Sequence, residues 1–367
     1  MLRRPLIPLR RVLITLDAVG GIWRYALDVA LGLEAYDVTC LLAVFGPEPS
    51  AAQQAECKAL PNADLVCVHE PLDWMVTDAA QLEPGVEKLA GLARDWKVDL
   101  LHLNLPSQAA GLDSDVPVVV ASHSCVPTWW EAVHGTALPK TLEWQRDRNR
   151  QGFRQADAIM VPSASHGAAL RRAYGPLPPL HVVYNSTSAA PSGHPREKFI
   201  LSVGRWWDTG KNGQILDAAA KSLPWPVVLA GPLHGPDGQA TDFHHARTPG
   251  ALAHEDILSL MERASIFAGP SRYEPFGLAV AEAAASGSAL VLADIATFRE
   301  LWDGAALFVG ADDTAEWANA FSTLIENEPL RRQLAADAQS RAQRFTLPRQ
   351  AARLYELYSE LGAAAMT

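Results

Sequence analysis

Two carboxylates, Glu274 and Glu282, stand in a segment otherwise suited to burial, SRYEPFGLAVAEAAASG at positions 271–287. Glu274 precedes a predicted helix that starts near Gly277 and ends at Gly287, and Glu282 lies inside that helix. A helix start with a glycine and free N–H groups binds anions. A carboxylate on a buried helix requires polar partners, and the hydroxyl groups of a sugar or ribose are such partners. The alternative is that Glu274 only complements the helix dipole.

A histidine and a glycine pair follow two predicted strands. The run VPVVVA at positions 116–121 is typical of a central parallel strand, and His123 comes two residues after it. In an open α/β sheet, ligands bind at the carboxyl ends of the strands, so His123 is a candidate site residue. The alternative is a histidine satisfied by neighbouring backbone. Gly20 and Gly21 form the turn between the first predicted strand and the first helix.

The elements that must position these residues alternate between strand and helix, which is typical of an α/β fold with doubly wound parallel sheets. This pattern starts again after AAPSGHPREK at positions 189–198, a polar segment rich in Pro, Gly and Ser that predicts a linker. We therefore expect Rossmann-like domains at 1–190 and 197–345, followed by a helical segment at 346–367. Positions 128–155 predict one long helix. The GxGxxG pattern is absent, so a dinucleotide fingerprint is not supported.

Composition narrows the functional class. The chain has 367 residues, enough for two domains of ordinary size, and a net charge of −10, which argues against a general nucleic-acid binder. Its four cysteines show no CxxC spacing and predict reduced thiols in a cytoplasmic protein. No apolar run reaches the length of a membrane span. The opening segment MLRRPLIPLRR is interpreted as a solvated tail, with peripheral contact to an anionic membrane surface as the alternative.

The segment around the two glutamates also resembles a known signature. Glu274 and Glu282, with seven residues between them, are similar to the E-x7-E motif of retaining GT-B glycosyltransferases of family 4, and the phrase FAGPSRYEPFGLAVAEAAASGSALVLAD resembles that family over its whole length. The resemblance implies two Rossmann-like domains with the active site in the cleft between them. It also implies that Glu274 contacts the donor sugar, that Glu282 holds the ribose, and that the backbone of Phe276, Gly277 and Leu278 faces the phosphates.

The resemblance extends, more weakly, to other segments. Gly20 and Gly21 resemble the glycine loop that faces the reacting end of the donor, and His123 resembles a histidine that reaches the donor sugar. The segment from Arg205 to Lys211 resembles the family's GR…K segment, although its spacing is one residue longer. Glu300 resembles an acidic residue near the nucleotide. The last helix resembles the family's C-terminal tail, which crosses back onto the first domain.

The resemblance implies a metal-free reaction. A nucleoside diphosphate leaves with growing negative charge, and Arg205 and Lys211 can stabilise it as a bidentate fork and a point charge. The triplet Asp113-Ser114-Asp115 resembles a metal-binding DxD motif but lies in a predicted surface turn. We found no convincing nucleophile, so retention is attributed, by resemblance, to front-face attack assisted by the leaving phosphate.

The expected function is transfer of a sugar from a nucleoside-diphosphate sugar, with no cofactor, to a sugar, lipid-linked or small-molecule acceptor in polysaccharide, glycolipid or glycoconjugate synthesis. Two alternatives stay open. One is a GT-B sugar-nucleotide epimerase, and the other is a non-catalytic protein that binds sugar nucleotides.

Overall fold

The protein is described here from a computed structural model, which covers residues 9–191, 193, 195–235 and 238–364. Arg3 and Arg4 of the predicted tail lie outside the described residues, as do positions 192 and 194 of the predicted linker. The chain forms two compact units. The first comprises the chain up to Trp130, Thr136–Ser186 and the chain from Leu347 onward, and the second comprises Glu131–Gly135 and Thr187–Thr346.

The first unit is built on a parallel sheet of seven strands in the described chain. The strands are β1 Arg11–Asp17, β2 Thr39–Phe45, β3 Ala63–Cys67, β4 Leu100–Leu103, β5 Val118–Ala121, β6 Ala158–Val161 and β7 Leu180–Val182. Their spatial order is β3-β2-β1-β4-β5-β6-β7. The helices of this unit are α1 Gly21–Glu34, α2 Ala51–Lys58, α3 Glu83–Asp95, α5 Glu143–Gln155 and α6 Ala164–Tyr174, and the C-terminal helix is α13 Leu347–Ala364. Helix α4 Val126–His134 begins in this unit, and its residues from Glu131 onward are assigned to the second.

The strands of this sheet are apolar on both faces because helices cover both sides. In β1, Val12 and Ile14 belong to one hydrophobic cluster and Leu13 to the cluster on the opposite face. The C-terminal helix α13 completes the first cluster by packing on α1. The ring of Tyr355 stacks on that of Tyr36 with centroids 4.3 Å apart. Helix α13 is therefore part of the core of the first unit.

The second unit repeats the architecture with a parallel sheet of six strands in its described residues. The strands are β8 Glu197–Val203, β9 Val227–Ala230, β10 Arg247–Gly250, β11 Ala264–Gly269, β12 Ala289–Ala293 and β13 Ala306–Val309. Their spatial order is β10-β9-β8-β11-β12-β13. The helices are α7 Gly213–Ala220, α8 His254–Arg263, α9 Leu278–Ser286, α10 Ala296–Trp302, α11 Thr314–Glu326 and α12 Glu328–Ala342. The two parallel sheets with alternating helices confirm the predicted α/β fold of two doubly wound domains.

Each sheet has one place where the winding direction reverses. In the first unit β1 lies beside β4, and in the second unit β8 lies beside β11, so the loops after these strands diverge to opposite faces of the sheet. Such switch points leave a crevice at the carboxyl ends of the strands, where ligands bind in open α/β sheets. Gly20 and Gly21 follow β1, and the segment with Arg205 and Lys211 follows β8. The topology thus places these four predicted site residues at the switch points of their sheets.

Two local predictions are wrong. The predicted long helix at 128–155 is two helices, α4 and α5. The first of them ends at His134, because Gly135 adopts φ 61° in the left-handed region, and Pro139 lies in the segment before α5. The predicted helix start at Lys211 is also displaced, because Lys211 ends a short 3₁₀ turn and α7 begins at Gly213.

All four cysteines are free thiols, and Cys40, Cys57 and Cys125 are buried. Within the described chain, no helix combines the length and the apolar character needed to cross a membrane.

Two helical glycines provide a test of the packing of the first unit. A Cβ at Gly152 of α5 would lie 1.7 Å from the carbonyl oxygen of Pro106, whereas a Cβ at Gly91 of α3 would have no neighbour within 4 Å. We expect Gly152→Ala to destabilise the protein by about 2 kcal/mol or more because the backbone must move. Gly91→Ala should stabilise it by up to about 1 kcal/mol through helix propensity. Thermal and denaturant unfolding of the two variants checks this, and a stable Gly152→Ala variant would contradict the close packing of α5.

Candidate active site

The loop after β8 is fastened by Trp206, a residue that sequence reasoning did not assign to the site. Trp206 is buried, its backbone N–H donates to the carbonyl oxygen of Pro232 at 2.9 Å, and its indole N–H donates to that of Ala230 at 3.1 Å. The ring also packs over Gly213, where a Cβ would approach it to 2.6 Å. Trp206 therefore fixes the path of the loop that carries Arg205.

The extra residue in this loop is accommodated by two successive turns. The N–H of Asp208 donates to the carbonyl oxygen of Arg205 at 3.0 Å, and the N–H of Lys211 donates to that of Asp208 at 2.9 Å. The Asp208 carboxylate also accepts from the N–H of Gly210 at 2.9 Å. The side chain of Arg205 is half exposed and lies over the ring of Trp207, 5.4 Å from its centroid. The longer segment between Arg205 and Lys211 is thus folded into a compact turn.

Lys211 and Glu274 form an ion pair that joins the loops after β8 and β11. The Lys211 ammonium lies 2.5 Å from Glu274 Oε2, and both side chains are about one-fifth exposed, 20% and 18%. The hydroxyl of Ser271 also lies 3.4 Å from Glu274 Oε2. A mostly buried pair of this kind is held firmly, because losing one partner leaves an uncompensated charge. The structure thus brings together two residues that are 63 positions apart.

Asn212 positions this pair, and sequence reasoning missed it. Its backbone has φ 55°, in the left-handed region that asparagine tolerates better than most residues. Its side-chain amide donates to the carbonyl oxygens of Pro270, at 3.2 Å, and Ala311, at 2.7 Å. The residue after Lys211 therefore ties three loops together at the carboxyl edge of the sheet.

The loop after Glu274 leads into α9 with a free helix start. The helix begins at Leu278, its N-cap is Gly277 with φ 89°, and no side chain caps it. A Cβ at Gly277 would lie 3.0 Å from the ring of Phe298 and 3.3 Å from Glu274 Cγ, so glycine is required by both space and conformation. Phe276 is buried and contacts the ring of Phe345. The first N–H groups of α9 are consequently available to an anion beside the Lys211–Glu274 pair.

Glu282 lies further along α9 and pairs with a residue that sequence reasoning missed. Its Oε1 lies 3.8 Å from Nε2 of His254, the first residue of α8. The Glu282 side chain is 16% exposed and that of His254 is 45% exposed. Glu300 is half-buried on α10, the helix that also carries Phe298. Glu274 thus lies in the loop before α9, and Glu282 lies inside the helix.

In the first unit, the glycine turn after β1 is held by Asp17. The Asp17 carboxylate accepts hydrogen bonds from the N–H groups of Val19, at 2.9 Å, and Gly20, at 3.2 Å. Gly20 has extended backbone and Gly21 begins α1. Val19 is half exposed at the tip of the turn. The short turn between β1 and α1 is therefore held by a carboxylate at its start.

His123 lies in the same unit, against α1. Its Nε2 lies 2.7 Å from Oδ1 of Asn104, and its ring meets the ring of Tyr25 edge-on with centroids 4.3 Å apart. Burial, with a smaller contribution from the neighbouring His102 and His166, lowers the pKa of His123 to about 3. His123 is therefore neutral at physiological pH. Sequence reasoning missed Asn104, although a polar residue directly after β4 is the signal that could have found it.

The DxD triplet is exposed at both aspartates, Asp113 and Asp115, in the turn before β5. Among the residues that the structure describes, no group of three or more His, Cys, Asp or Glu side chains is arranged to hold a metal ion.

Comparison with known proteins agrees with this geometry. The family model of Glycosyltransferase Family 4 matches residues 19–189, and that of Glycosyl transferases group 1 matches residues 187–341. The chain belongs to the group 1 glycosyltransferases. The first match lies on the β1–β7 sheet and the second on the β8–β13 sheet, so the candidate residues of each unit fall inside a matched region.

Individual relatives of this glycosyltransferase differ in activity. Glycogen synthase of Mycobacterium tuberculosis is 25% identical over 329 residues, covering 77% of this chain and 76% of its own. D-inositol 3-phosphate glycosyltransferase of Corynebacterium diphtheriae is 32% identical over 150 residues, covering 36% of this chain and 34% of its own.

Solved structures share the GT-B fold. Sucrose-phosphate synthase from Thermosynechococcus elongatus has a TM-score of 0.80 at 18% identity and covers 97% of this chain and 100% of its own. The Anabaena protein HepE in complex with UDP-glucose has a TM-score of 0.74 at 20% identity, covering 96% and 100%.

The buried histidines make the stability of this glycosyltransferase sensitive to acid. Burial lowers the pKa of His102 and of His166 to about 4, whereas an unfolded chain titrates near pH 6.5. Below pH 6.5 the unfolded chain binds more protons than the folded chain does. The buried histidines therefore make their full contribution to the free energy of unfolding above about pH 7, and this contribution is lost as the pH falls towards 4. Each such histidine changes the free energy of unfolding by at most about 1.4 kcal/mol per pH unit.

We therefore expect the melting temperature to fall between pH 7.5 and pH 5, and to fall less steeply in His166→Gln. The exposed His69 provides the control. In His69→Gln, the melting temperature should fall with pH as steeply as it does in the wild type. Equal slopes in all three proteins would show that His166 is not buried in its neutral form.

Proposed function

We propose that this glycosyltransferase transfers a sugar from a nucleoside-diphosphate sugar to an acceptor with retention of the anomeric configuration and without a metal ion. The observation that carries the proposal is the Lys211–Glu274 ion pair beside the uncapped start of α9. It combines a cation, a carboxylate and free backbone N–H groups at a sheet switch point. The cation and the N–H groups can bind a diphosphate, and the carboxylate can bind the hydroxyl groups of a polyol beside it.

In this proposal the phosphates face Lys211, Arg205 and the first N–H groups of α9. One N–H donor of Lys211 reaches Glu274, and an ammonium has three donors, so it can bind carboxylate and phosphate together. Arg205 is held over the ring of Trp207 and can present its guanidinium edge as a fork. Fixed donors aimed at the leaving diphosphate stabilise the charge that develops in the transition state.

The two glutamates divide the donor between them. Glu282, with His254 beside it, binds the ribose hydroxyls, and Glu274 binds hydroxyls of the transferred sugar. A UDP-sugar is the proposed donor, because the structural neighbour HepE is described in complex with UDP-glucose. Gly20, Gly21 and His123 are assigned to the sugar and Glu300 to the nucleotide, in agreement with the sequence resemblance.

The proposed step is balanced without a protein nucleophile. The bond between the anomeric carbon and the phosphate oxygen breaks, and a bond from that carbon to the acceptor oxygen forms on the same face. The acceptor's proton passes to the leaving phosphate oxygen, which accepts the electron pair of the broken bond. The acceptor is a saccharide or a lipid-linked sugar, and the chain then acts in polysaccharide, glycolipid or glycoconjugate synthesis. Glycogen synthase among the relatives supports a saccharide acceptor.

A donor screen tests the proposed function. UDP-, GDP- and ADP-sugars are compared by thermal shift, and the stabilising donor is incubated with saccharide acceptors in EDTA. We expect transfer to continue in EDTA, and NMR should show the same anomeric configuration in donor and product. A strict requirement for Mg²⁺ or Mn²⁺ would contradict the metal-free step. Epimerised sugar without transfer would identify an epimerase, and donor binding without turnover would identify a non-catalytic binding protein.

The two glutamates give a second prediction. Ribose hydroxyls bond to a carboxylate in ground state and transition state alike, so Glu282→Gln should weaken UDP binding by about tenfold. Glu274→Gln should leave UDP affinity within about twofold and lower kcat by about a hundredfold, since its partner is the sugar. Calorimetry of UDP binding and steady-state kinetics measure the two effects. If only Glu274→Gln abolishes UDP binding, the donor is oriented the other way.

A further inference from the structure

The guanidinium of Arg205 rests on the ring of Trp207 in the loop after β8. Its central carbon lies 5.4 Å from the centroid of the ring, a distance at which the face of a tryptophan attracts a cation. The Arg205 side chain is 52% exposed, and its Nη2 lies 3.7 Å from Oδ2 of Asp208. A half-exposed arginine samples many rotamers unless a neighbour restricts it. The ring of Trp207 restricts it without using its N–H donors.

Trp207 is itself supported by the segment between β9 and β10, here called the β9–β10 segment, residues 231–235 and 238–246 of the described chain. A Cβ at Gly235 would lie 2.9 Å from Cδ2 and 3.0 Å from Cε3 of the Trp207 ring, so the ring lies directly on the backbone of Gly235. The segment is paired at this point. The N–H of Gly235 donates to the carbonyl oxygen of Gln239 at 2.7 Å, and an antiparallel bridge joins His234 and Ala240.

The far end of the β9–β10 segment is fastened to α7 by Asp217. This carboxylate belongs to a residue that is 5% exposed, and it accepts hydrogen bonds from the N–H groups of residues 244–246 at 2.8–3.1 Å. Phe243, directly before them, meets the ring of Trp206 edge-on with centroids 6.0 Å apart. A buried carboxylate with three charge-assisted hydrogen bonds holds its backbone partners firmly. The segment is therefore a fixed support for the loop after β8.

The two tryptophans of that loop use the support differently. Trp206 is 4% exposed, and its two N–H groups bond to carbonyl oxygens, so it fixes the path of the backbone. Trp207 is half-buried and presents its ring to Arg205. Trp207 therefore acts on the position of a side chain, and that side chain is a candidate ligand of the donor.

We propose that Trp207, backed by the β9–β10 segment, is a positioning residue that holds the Arg205 guanidinium in place for a bound diphosphate. The inference deepens the proposed function and rests on it for the identity of that anion. An arginine that is already held loses less rotamer freedom when it binds, so part of the affinity for the diphosphate comes from a neutral ring. The carboxylate of Asp208 cannot replace the ring, because it opposes the negative charge of the ligand.

A double-mutant cycle tests whether Trp207 acts through Arg205. Calorimetry gives the Kd for UDP and for inorganic diphosphate in the wild type, Trp207→Leu, Arg205→Ala and the double variant. We expect Trp207→Leu to weaken the binding of both ligands by about fivefold, whereas Trp207→Phe keeps a ring face for the cation and should stay within about twofold of the wild type. In the Arg205→Ala background, Trp207→Leu should change neither Kd by more than about twofold. A merely structural tryptophan would weaken binding equally in both backgrounds.

Gly235→Ala tests the support while both Trp207 and Arg205 stay in the chain. Its Cβ would press on the ring, so this variant should also weaken the binding of UDP and of inorganic diphosphate, and the loss should disappear in the Arg205→Ala background.

Trp225→Leu is the matched control. Trp225 is half-buried and lies under Arg331, with the guanidinium carbon 5.0 Å from the ring centroid, but it precedes β9 at the amino edge of the sheet. Its removal should leave both Kd values within about twofold of the wild type.

Two results overturn the inference, namely equal losses of affinity in the presence and in the absence of Arg205, or unchanged affinities in the folded Trp207→Leu and Gly235→Ala variants. Gly235→Ala decides the matter if Trp207→Leu does not fold. If the wild type binds inorganic diphosphate with the expected coupling but transfers no sugar from any donor, the proposed function fails while the inference stands. If the wild type transfers sugar without the coupling, the inference alone fails. A wild type that binds neither UDP nor inorganic diphosphate contradicts both.

Discussion

The ion pair between Lys211 and Glu274 is the interaction on which the second unit depends. It connects loops that leave β8 and β11 in opposite directions, and both charges are largely withdrawn from water. Such a pair is stable only when the surrounding backbone fixes both partners. Trp206 fixes the first loop, Asn212 ties it to the second, and Gly277 lets the chain turn directly into α9. The site is thus built mainly by residues that carry no charge.

The first unit uses a different physical solution at its own switch point. Its polar groups are neutral, because burial lowers the pKa values of His102, His123 and His166. Each hydrogen bond between neutral groups has one donor and one acceptor. The carbonyl oxygen of Thr15 can only accept, so it fixes the orientation of the Asn104 amide. The unit therefore offers a directed acceptor, whereas the second unit offers charge.

The charged groups of the second unit and the neutral groups of the first suit different parts of the reaction proposed for the chain. A departing diphosphate requires stabilisation of negative charge, which Lys211, Arg205 and the start of α9 can provide. A sugar hydroxyl requires an acceptor in a defined direction, which a neutral histidine can provide without attracting the diphosphate. Because kcat depends on interactions that strengthen in the transition state, the charged and the neutral groups should affect kinetics differently.

The sequence by itself determined the doubly wound sheets, the group 1 family and the neighbourhood of Glu274 and Glu282, because these follow from local periodicity and from one continuous segment. The tertiary structure alone decided which distant residues meet. The contacts of Lys211 with Glu274 and of Tyr358 with His102 join positions far apart in the chain, and Trp206 and Asn212 act through hydrogen bonds to backbone carbonyls, which no side-chain pattern reveals. The helix predicted at 128–155 shows the same limit, because it ends at His134, where Gly135 adopts φ 61°, within an otherwise helical pattern. Local signals fix the elements, while the protonation and direction of buried groups depend on neighbours that only folding brings together.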